Sequence, residues 1–284
     1  MKKSKKIILS FYATLTIVLL LTAAVLFFQL QPANLQIYFF DVGQGDSIFI
    51  KTPNRYNILI DGGVNNLVLY KLGKYLPFYD RTIDLVILTH PDSDHLVGLI
   101  EVLKRYQVKN ILLTKISDDS AVYKSFWQTI KDKNLSVLVA GDVKGINLGQ
   151  EVSLSILYPQ QSLAGKNFKE KNDSSIVVKL NYNHFSSLFT GDAPIKIEDY
   201  LLASKIPIST DVLKLGHHGS NTCSSQNFLI KAKPDLAIIS FGVNKFGHPS
   251  PQVLQRLEQL KISWLSTFAA GDIIIHSDGQ KFWR

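Results

Sequence analysis

The sequence has almost no cysteine and relatively few charged residues. Cys223 is the one cysteine in 284 residues, so neither an internal disulfide nor a Cys-x-x-Cys metal knuckle can stabilise the fold. Charged residues make up 19% of the chain and apolar residues 46%, which excludes an intrinsically disordered composition. The length suits one large domain or two small ones with a buried core. The fold must therefore depend on apolar packing, with bound metal ions as the remaining kind of cross-link.

Residues 7–28 contain no charged side chain. A helix of this length, rising about 1.5 Å per residue, spans the ~30 Å hydrocarbon core of a bilayer. A cleaved signal peptide is the alternative, but its apolar region is usually shorter, and the following QLQPAN contains no Ala-x-Ala cleavage site. We therefore expect a basic tail at 1–6, a transmembrane anchor at 7–29, a linker at 30–35 and a globular domain at 36–284.

The excess of positive charge is concentrated at the amino terminus. Of the formal net charge of +8, four charges come from lysines within the first six residues, which leaves +4 for the rest. Lysines before an apolar segment favour keeping that end in the cytoplasm. We thus expect a single-pass cell-membrane protein with a cytoplasmic amino terminus and an extracytoplasmic domain. The mildly basic remainder permits a polyanionic substrate but is equally typical of an ordinary basic surface.

From residue 35 onward, short apolar strands alternate with amphipathic helices. Strand patterns include LQIYFF, YNILI, IDLVILT, NILLT, SIVVKL, FSSLF, DVLKLG and DLAIIS. Apolar residues at helical spacing occur at about 66–76, 95–106, 120–133, 194–204, 224–232 and 250–260. The pattern predicts an α/β fold in which two mixed β-sheets are flanked by helices.

The segment LVILTHPDSDHLVG changes abruptly from an apolar strand to four metal-capable side chains, His90, Asp92, Asp94 and His95. Open α/β folds form their sites at the carboxyl ends of strands. Asp94 is a good residue for capping the helix that follows, but capping explains only one residue of the four. Because imidazole nitrogens and carboxylate oxygens are ligands of Zn²⁺ and Mn²⁺, this segment predicts a metal site.

Two later strands also run into titratable side chains. The segment LFTGD ends in Asp192, and LKLGHHGS continues into His217 and His218. On an extended backbone, adjacent side chains point to opposite sides, so only one of these two histidines could readily bind the metal. Three such strand ends are hard to explain separately, and together they predict a single site.

The motif His90-x-Asp92-x-Asp94-His95 resembles the His-x-His-x-Asp-His signature of the metallo-β-lactamase superfamily, with Asp92 in place of the second histidine. Around it occur FFDVGQGDSIFI, NDSSIVVKL, LFTGD, LKLGHHGS and FGHPSP. Their order resembles the metallo-β-lactamase domain of the ComEC/Rec2 family of competence DNA-uptake proteins. Any one of these motifs would be weak evidence, but the combination is specific.

The resemblance covers about 36–276 and implies the αββα sandwich of that superfamily, with a hydrolase domain over 36–284. ComEC proteins also carry a multi-helix channel, whereas this sequence has one predicted membrane span. We therefore expect a stand-alone hydrolase domain on an anchor, and not the DNA pore itself.

The resemblance further implies two divalent metal ions, Zn or Mn, as cofactors. By position in the motif, His90 and Asp92 would bind the first ion, and Asp94 and His95 would bind the second. Asp192 matches the carboxylate that bridges them. A strand that runs into Gly-Asp also presents a carboxylate at the strand end, which agrees with that role.

Two positions in this comparison remain open. His217 is favoured as the further ligand of the second ion, with His218 contacting substrate or supporting the ligands, although the reverse assignment is the alternative. The family's middle histidine ligand has no counterpart, so either Asn172 or Asp173 completes the first site or that site binds metal weakly. Oxygen ligands of this kind favour Mn²⁺ or Mg²⁺ over Zn²⁺, which leaves the identity of the metal open.

Three further residues are expected near the site. The resemblance places Asp46, in DVGQGDS, close to the metals, and Asp61, in LIDGG, in a supporting or turn-forming position. His248, in FGHPSP, precedes a proline that restricts it to an extended conformation. We expect His248 to contact substrate or to protonate the leaving group.

These features favour a metal-dependent phosphodiesterase or nuclease that acts on DNA through a metal-activated hydroxide. The candidate catalytic residues are Asp94, His218 and His248. The enzymatic alternative is hydrolysis of another ester or amide, such as a phosphocholine ester, a lactone or a lactam. The non-enzymatic alternative is a DNA-uptake or assembly component with an inactive site. The sequence leaves the oligomeric state open.

Overall fold

The computed structural model describes residues 11–23, 34–149 and 151–284. The chain divides into two compact units, Met1–Ala33 and Asn34–Arg284, and each is described by itself.

In the first unit, residues 11–23 form a helix, α1. The predicted basic tail at 1–6 lies outside the described residues, as do parts of the predicted anchor at 7–29 and linker at 30–35. Among the described residues, no helix combines the length and the apolar character needed to cross a bilayer.

Two mixed β-sheets form the centre of the second unit. The first sheet has the spatial order β15 (Phe282–Trp283), β14 (Ile273–Ser277), β1 (Leu35–Phe39), β2 (Ile48–Lys51), β3 (Asn57–Ile60), β4 (Thr82–Ile87), β5 (Gln107–Leu113), β6 (Ser136–Val139). The second has the order β13 (Ser263–Ser266), β12 (Leu236–Ile239), β11 (Val212–Lys214), β10 (Phe185–Phe189), β9 (Val177–Tyr182), β8 (Val152–Tyr158), β7 (Gly145–Asn147). Strands β3 to β6 are mutually parallel, as are β10 to β13.

Helices cover the outer face of each sheet. The first sheet carries α2 (Leu67–Tyr75), α3 (Ser93–Arg105) and α4 (Ala121–Asp132). The second carries α5 (Ile195–Ala203), α6 (Gln226–Ala232) and α7 (Pro251–Gln259), and a short helix, α8 (Thr267–Ala270), follows β13. Apolar side chains from both sheets pack together between them. The predicted α/β fold, with two mixed sheets flanked by helices, is therefore confirmed.

Strand β4 is apolar on both faces because it is buried on both. Leu85 and Ile87 pack in the core between the sheets, whereas Val86 and Leu88 pack beneath the helices of the first sheet. Each fully buried aliphatic side chain of this kind stabilises the fold by about 1.5–3 kcal/mol. This packing fixes the strand in position, and the chain leaves its carboxyl end directly into His90.

Helix α3 begins within the metal-capable segment, at Ser93. Its N-cap residue is Asp92, not Asp94 as the capping argument assumed, and the Asp92 side chain makes no capping hydrogen bond. Asp94 and His95 lie in the first turn. The helix approaches the chain after β3 so closely that a Cβ atom on Gly98 would lie 1.9 Å from the carbonyl oxygen of Gly62. This contact holds the amino end of α3 against the sheet and leaves both carboxylates available for other roles.

Candidate metal centre

The three strand ends singled out in the sequence meet in the folded chain. His90 follows β4 of the first sheet, while Asp192 and His218 follow β10 and β11 of the second. The carboxylate of Asp192 lies between the histidines: its Oδ2 is 3.9 Å from His90 Nε2 and 3.6 Å from His218 Nε2. All three side chains are almost completely buried. Asp192 therefore occupies a central position, as a bridging ligand would require.

The first turn of α3 adds two more groups to this cluster. His95 Nε2 is 3.4 Å from Asp192 Oδ1, and Asp94 Oδ2 is 3.2 Å from His218 Nε2. Ligand-capable atoms of His90, His95 and Asp192 all lie within 4.8 Å of one another, and so do those of Asp94, His95 and His218. The two sets share His95, and they are joined by the Asp192 carboxylate.

The other ring nitrogen of each histidine is held by a neighbouring oxygen. His218 Nδ1 lies 2.9 Å from the carbonyl oxygen of Ser240, which can only accept, so Nδ1 is the donor. His95 Nδ1 lies 2.7 Å from Asp61 Oδ2, with the carboxylate as acceptor. These bonds fix the tautomer and direct both Nε2 lone pairs into the cluster. Metal-binding histidines are characteristically oriented in this way.

His90 is oriented through a longer chain of hydrogen bonds. Thr89 Oγ1 donates to Asp61 Oδ2 at 2.7 Å, and it can therefore accept from His90 Nδ1, which lies 3.0 Å away. The Asp61 carboxylate also accepts from the backbone N–H of Thr89 at 2.8 Å. Asp61 thus supports two of the clustered histidines without entering the cluster itself.

The inward-facing atoms lack hydrogen-bond partners among the residues that the structure describes. They are the Nε2 atoms of His90, His95 and His218 and Oδ1 of Asp192. A buried polar atom left unpaired costs about 1–3 kcal/mol, so four such atoms facing one another need an explanation. Divalent metal ions accept electron pairs from imidazole nitrogen and carboxylate oxygen, and this donor set fits them.

The pKa shifts of the clustered side chains also favour a bound cation. Burial opposes protonation of His218, but the carboxylates of Asp192 and Asp46 outweigh it and raise its pKa to about 9. Burial likewise opposes protonation of His95, yet Asp192 raises its pKa well above the usual value. In turn, burial works against ionisation of Asp192, but the neighbouring histidines hold its pKa well below the ordinary range. The buried carboxylates therefore stabilise positive charge within the cluster, and bound divalent cations would supply such charge.

The backbone of the double-histidine segment differs from the extended conformation expected of it, and that prediction is wrong. His217 and His218 lie in a 3₁₀ turn, Gly216–Gly219, with positive φ angles of 47° and 54°. Non-glycine residues in this left-handed region are uncommon and concentrate at functional sites. The turn aims His218 into the cluster, whereas His217 is partly exposed, with Nε2 3.8 Å from Asp192 Oδ2. The geometry groups His218, and not His217, with Asp94 and His95.

The side of the cluster near His90 is richer in oxygen and more open. Asp92 Oδ2 lies 3.4 Å from His90 Nε2, and its Oδ1 lies 3.7 Å from Lys171 Nζ. Asn172 Nδ2 is 3.3 Å from His217 Nδ1, so this side chain is at the rim of the site. Asp173 turns away and pairs with Lys196 of α5. Of the two residues considered for completing the first site, only Asn172 contacts a histidine of the site, and that histidine is His217.

Asp46 lies directly beside the cluster, in a buried ion pair that the sequence analysis missed. Lys214 is completely buried, and its Nζ is 2.5 Å from Asp46 Oδ2, while Asp46 Oδ1 is 3.5 Å from His218 Nδ1. Burial raises the pKa of Asp46, but Lys214 outweighs it, so that the net shift is downward. The sequence does contain a signal of this ion pair, because a lysine inside the apolar strand DVLKLG is unusual unless it has a charged partner.

His248 completes the rim of the site. Its ring centroid is 5.2 Å from that of His217, and its Nδ1 is buried with no hydrogen-bond partner among the described residues. Burial, followed by the neighbouring His217, lowers the pKa of His248. A neutral imidazole with an unused nitrogen therefore lies next to the clustered ligands.

Comparison with known proteins identifies the family of this chain. The family model of the metallo-beta-lactamase superfamily matches residues 40–243. ComE operon protein 3 of Bacillus subtilis (strain 168) is 30% identical over 253 residues, which is 82% of this chain and 32% of that protein. Recombination protein 2 of Haemophilus influenzae (strain Rd) is 29% identical over 265 residues, or 92% of this chain and 31% of that protein. The predicted resemblance to ComEC/Rec2 competence proteins is confirmed.

The chain spans about a third of the length of these curated relatives. Among solved structures, a long form RNase Z from yeast superposes with a TM-score of 0.53 at 12% identity, covering 86% of this chain and 42% of that one. At such low identity this likeness shows the fold alone. The family match, the strand-end ligand cluster and the competence-protein relatives lead to one conclusion: the chain belongs to the metallo-β-lactamase superfamily.

Proposed function

We propose that this chain is a metal-dependent phosphodiesterase that acts on DNA. The observation that carries the proposal is the convergence of three oriented imidazoles on the central carboxylate of Asp192. DNA as the substrate is supported by the relatives, which carry names from competence and recombination. The mildly basic domain is compatible with a polyanion.

The ligands divide into two sets around Asp192. His90 and Asp92, with Asn172 at the rim, would hold one ion, and Asp94, His95 and His218 would hold the other. When bound, a pair of divalent cations supplies an acidified water molecule and neutralises charge on a phosphate. Asp61 and Ser240 keep the imidazoles in the required tautomer. The oxygen-rich first set favours Mn²⁺ over Zn²⁺.

His248 is proposed to bind the substrate and not to donate a proton. Its lowered pKa keeps the ring neutral near pH 7, and a neutral imidazole N–H can donate a hydrogen bond to a phosphate oxygen. Its place at the rim, one ring contact from His217, suits an approach from solvent. His217, which is partly exposed and near Asn172, is proposed to contact the substrate as well.

The activity can be tested with purified full-length chain and added Mn²⁺ or Zn²⁺. We expect hydrolysis of bis-p-nitrophenyl phosphate and of single-stranded DNA, both abolished by chelation. Asp94→Asn removes one ligand charge beside His218 and is expected to lower the rate by at least 100-fold, since supporting residues alone cost 10–100-fold. The initial rate at saturating metal is the measurement.

Asp119→Asn is the matched control, because Asp119 is fully exposed and pairs only loosely with Lys124. This variant should retain the wild-type rate. Failure of the metal-loaded wild-type chain to cleave either substrate would contradict the proposal. Equal rates for Asp94→Asn and Asp119→Asn would contradict the role of the cluster.

We also propose that residues 7–29 anchor the domain on the outer side of a cell membrane. The proposal is supported by the uncharged run that follows four lysines. In fractionated cells we expect the full chain in the membrane pellet, resistant to salt and released by detergent. Protease added to spheroplasts should digest the domain; a protected domain, or a chain released by high salt, would refute the anchor.

A further inference from the structure

An exposed aromatic side chain stands beside the candidate metal centre, on the loop between β12 and α7. Phe246 is 63% exposed, and Val243 on the same loop is 90% exposed. At this exposure most of the apolar surface of the phenyl ring is in contact with water and is not buried in the core. Single exposed apolar residues are common, so exposure by itself identifies no function. The neighbouring rings, however, connect Phe246 to the candidate metal centre.

A continuous series of rings connects Phe246 to the ligand cluster. The Phe246 centroid is 5.8 Å from that of His248 with 30° between the planes, and His248 is 5.2 Å from His217. His217 in turn is 6.0 Å from the buried His218. The series therefore leads from the candidate metal centre past His217 and His248 to the exposed ring of Phe246.

The Asn244 side chain makes four hydrogen bonds within the loop that carries Phe246. Asn244 Oδ1 accepts from the backbone N–H groups of Phe246 at 3.0 Å and of His248 at 3.1 Å. Asn244 Nδ2 donates to the carbonyl oxygens of Gly242 and His248, at 2.9 and 2.8 Å. The loop also contacts the β1–β2 connection, where Gly242 N donates to Gln44 Oε1. Phe246 is thus presented on a braced loop, which lowers the entropy lost on binding.

A cation lies next to the ring. Lys245 is exposed, and its Nζ is 5.9 Å from the Phe246 centroid. An exposed aromatic face with an adjacent cation matches the two parts of a nucleotide, because bases stack on rings while phosphates attract ammonium groups. Bases within a duplex are already stacked on both faces and cannot use such a platform without being extruded. The combination therefore favours single strands.

We propose that Phe246 is a base-stacking platform that gives this domain a preference for single-stranded over duplex nucleic acid. The proposal rests on the proposed phosphodiesterase function and names its substrate class. In it, a phosphodiester lies at the metal centre, Lys245 faces a neighbouring phosphate, and an unpaired base stacks on Phe246. Stacking on a phenyl ring is tolerant of sequence, so no base preference is expected.

The test measures binding of full-length chain to a fluorescent thymidine oligonucleotide and to the corresponding duplex, by anisotropy in metal-free buffer. Wild-type chain is expected to prefer the single strand. Phe246→Ala should weaken single-strand binding by about 5- to 150-fold and change duplex binding much less. Phe246→Tyr should retain the preference, and Phe246→Leu should lose it, since leucine keeps the apolar contact but not the ring.

Salt dependence separates stacking from charge. Phe246→Ala should leave the slope of log K against log salt unchanged, whereas Lys245→Ala should reduce its magnitude by about one. Phe78→Ala is the control for removal of an exposed phenyl group, because Phe78 is 90% exposed but precedes the amino end of β4, the end opposite His90. It should bind as the wild type does.

Several results would overturn the platform. They are equal binding of single strand and duplex by the wild type, unchanged single-strand binding by Phe246→Ala, and full retention of the preference by Phe246→Leu. Preferential self-association that Phe246→Ala abolishes would assign the patch to a second copy of the chain. The hydrolysis assay of the metal-loaded wild type distinguishes the two proposals. Cleavage of neither bis-p-nitrophenyl phosphate nor single-stranded DNA refutes the function, whereas cleavage without a single-strand binding preference refutes only the platform.

Discussion

Replacing Lys214 with methionine is expected to lower the free energy of unfolding by about 3–5 kcal/mol, a large fraction of the stability of an ordinary domain. Lys214 is completely buried, and its Nζ is 2.5 Å from Asp46 Oδ2. Methionine fills a similar volume but removes the cation nearest to the buried Asp46 carboxylate. Denaturation by urea in metal-free buffer measures the change without a contribution from bound ions.

The double variant Lys214→Met/Asp46→Asn tests the cause of that loss. It removes both charges, so most of the lost stability should return, because two neutral groups no longer leave a buried ion unpaired. Lys131→Met is the control, since Lys131 is exposed and its replacement should change stability by less than about 0.5 kcal/mol. A loss for Lys214→Met as small as that of the control would show that the pair contributes little.

The Asp192→Asn variant is expected to lose at least 100-fold in metal affinity and in phosphodiesterase rate. Asparagine keeps the shape of the side chain but removes the charge that both ligand sets share, with His95 at 3.4 Å and His218 at 3.6 Å. Neighbours that merely support ligands already account for 10–100-fold effects. Calorimetric titration with Mn²⁺ and the rate at saturating metal are the two measurements.

Asp173→Asn is the matched control, because it makes the same chemical change at another aspartate that the sequence suggested as a ligand of the first ion. Its carboxylate pairs with Lys196 and faces away from the cluster, so we expect near wild-type metal binding and rate. If Asp173→Asn were as defective as Asp192→Asn, the first site would include Asp173, and the geometry described here would not explain the activity.

Most of the fold could be predicted because its signals are local. The apolar run of β4 is buried on both faces of the sheet. Helix α3 places Leu96, Leu99 and Leu103 on one buried face. Such periodicities depend on neighbouring residues alone, so they can be read without knowing the topology. Helix boundaries from the sequence agree with the structure to within a few residues for the same reason.

The site was predictable in its composition but not in its details. Strand ends that carry His90, Asp192 and the double histidine could be recognised, because polar groups after buried strands are conspicuous. The left-handed backbone of His217 and His218 could not, since local preferences place non-glycine residues in the extended or right-handed regions. The surrounding structure imposes that conformation, and it determines which imidazole enters the cluster.

Contacts between residues that are far apart in the sequence could not be predicted either. Lys214 lies on β11 of the second sheet and Asp46 on the connection between β1 and β2 of the first, so they meet only in the folded chain. Ser240 and His218 are likewise distant along the chain and meet only after folding. Sequence spacing carries no information about such pairs. The unusual position of a lysine inside an apolar strand indicates that a partner exists, but only the structure names Asp46.

His90, His95, Asp192 and His218 are proposed to bind a pair of divalent ions together. Anomalous diffraction from crystals of the Mn²⁺-loaded protein tests this proposal without reference to activity. We expect two strong anomalous peaks among these four side chains, with Asp192 in contact with both. Mn²⁺ bound elsewhere, with the cluster left empty in a protein that hydrolyses phosphodiesters, would contradict it.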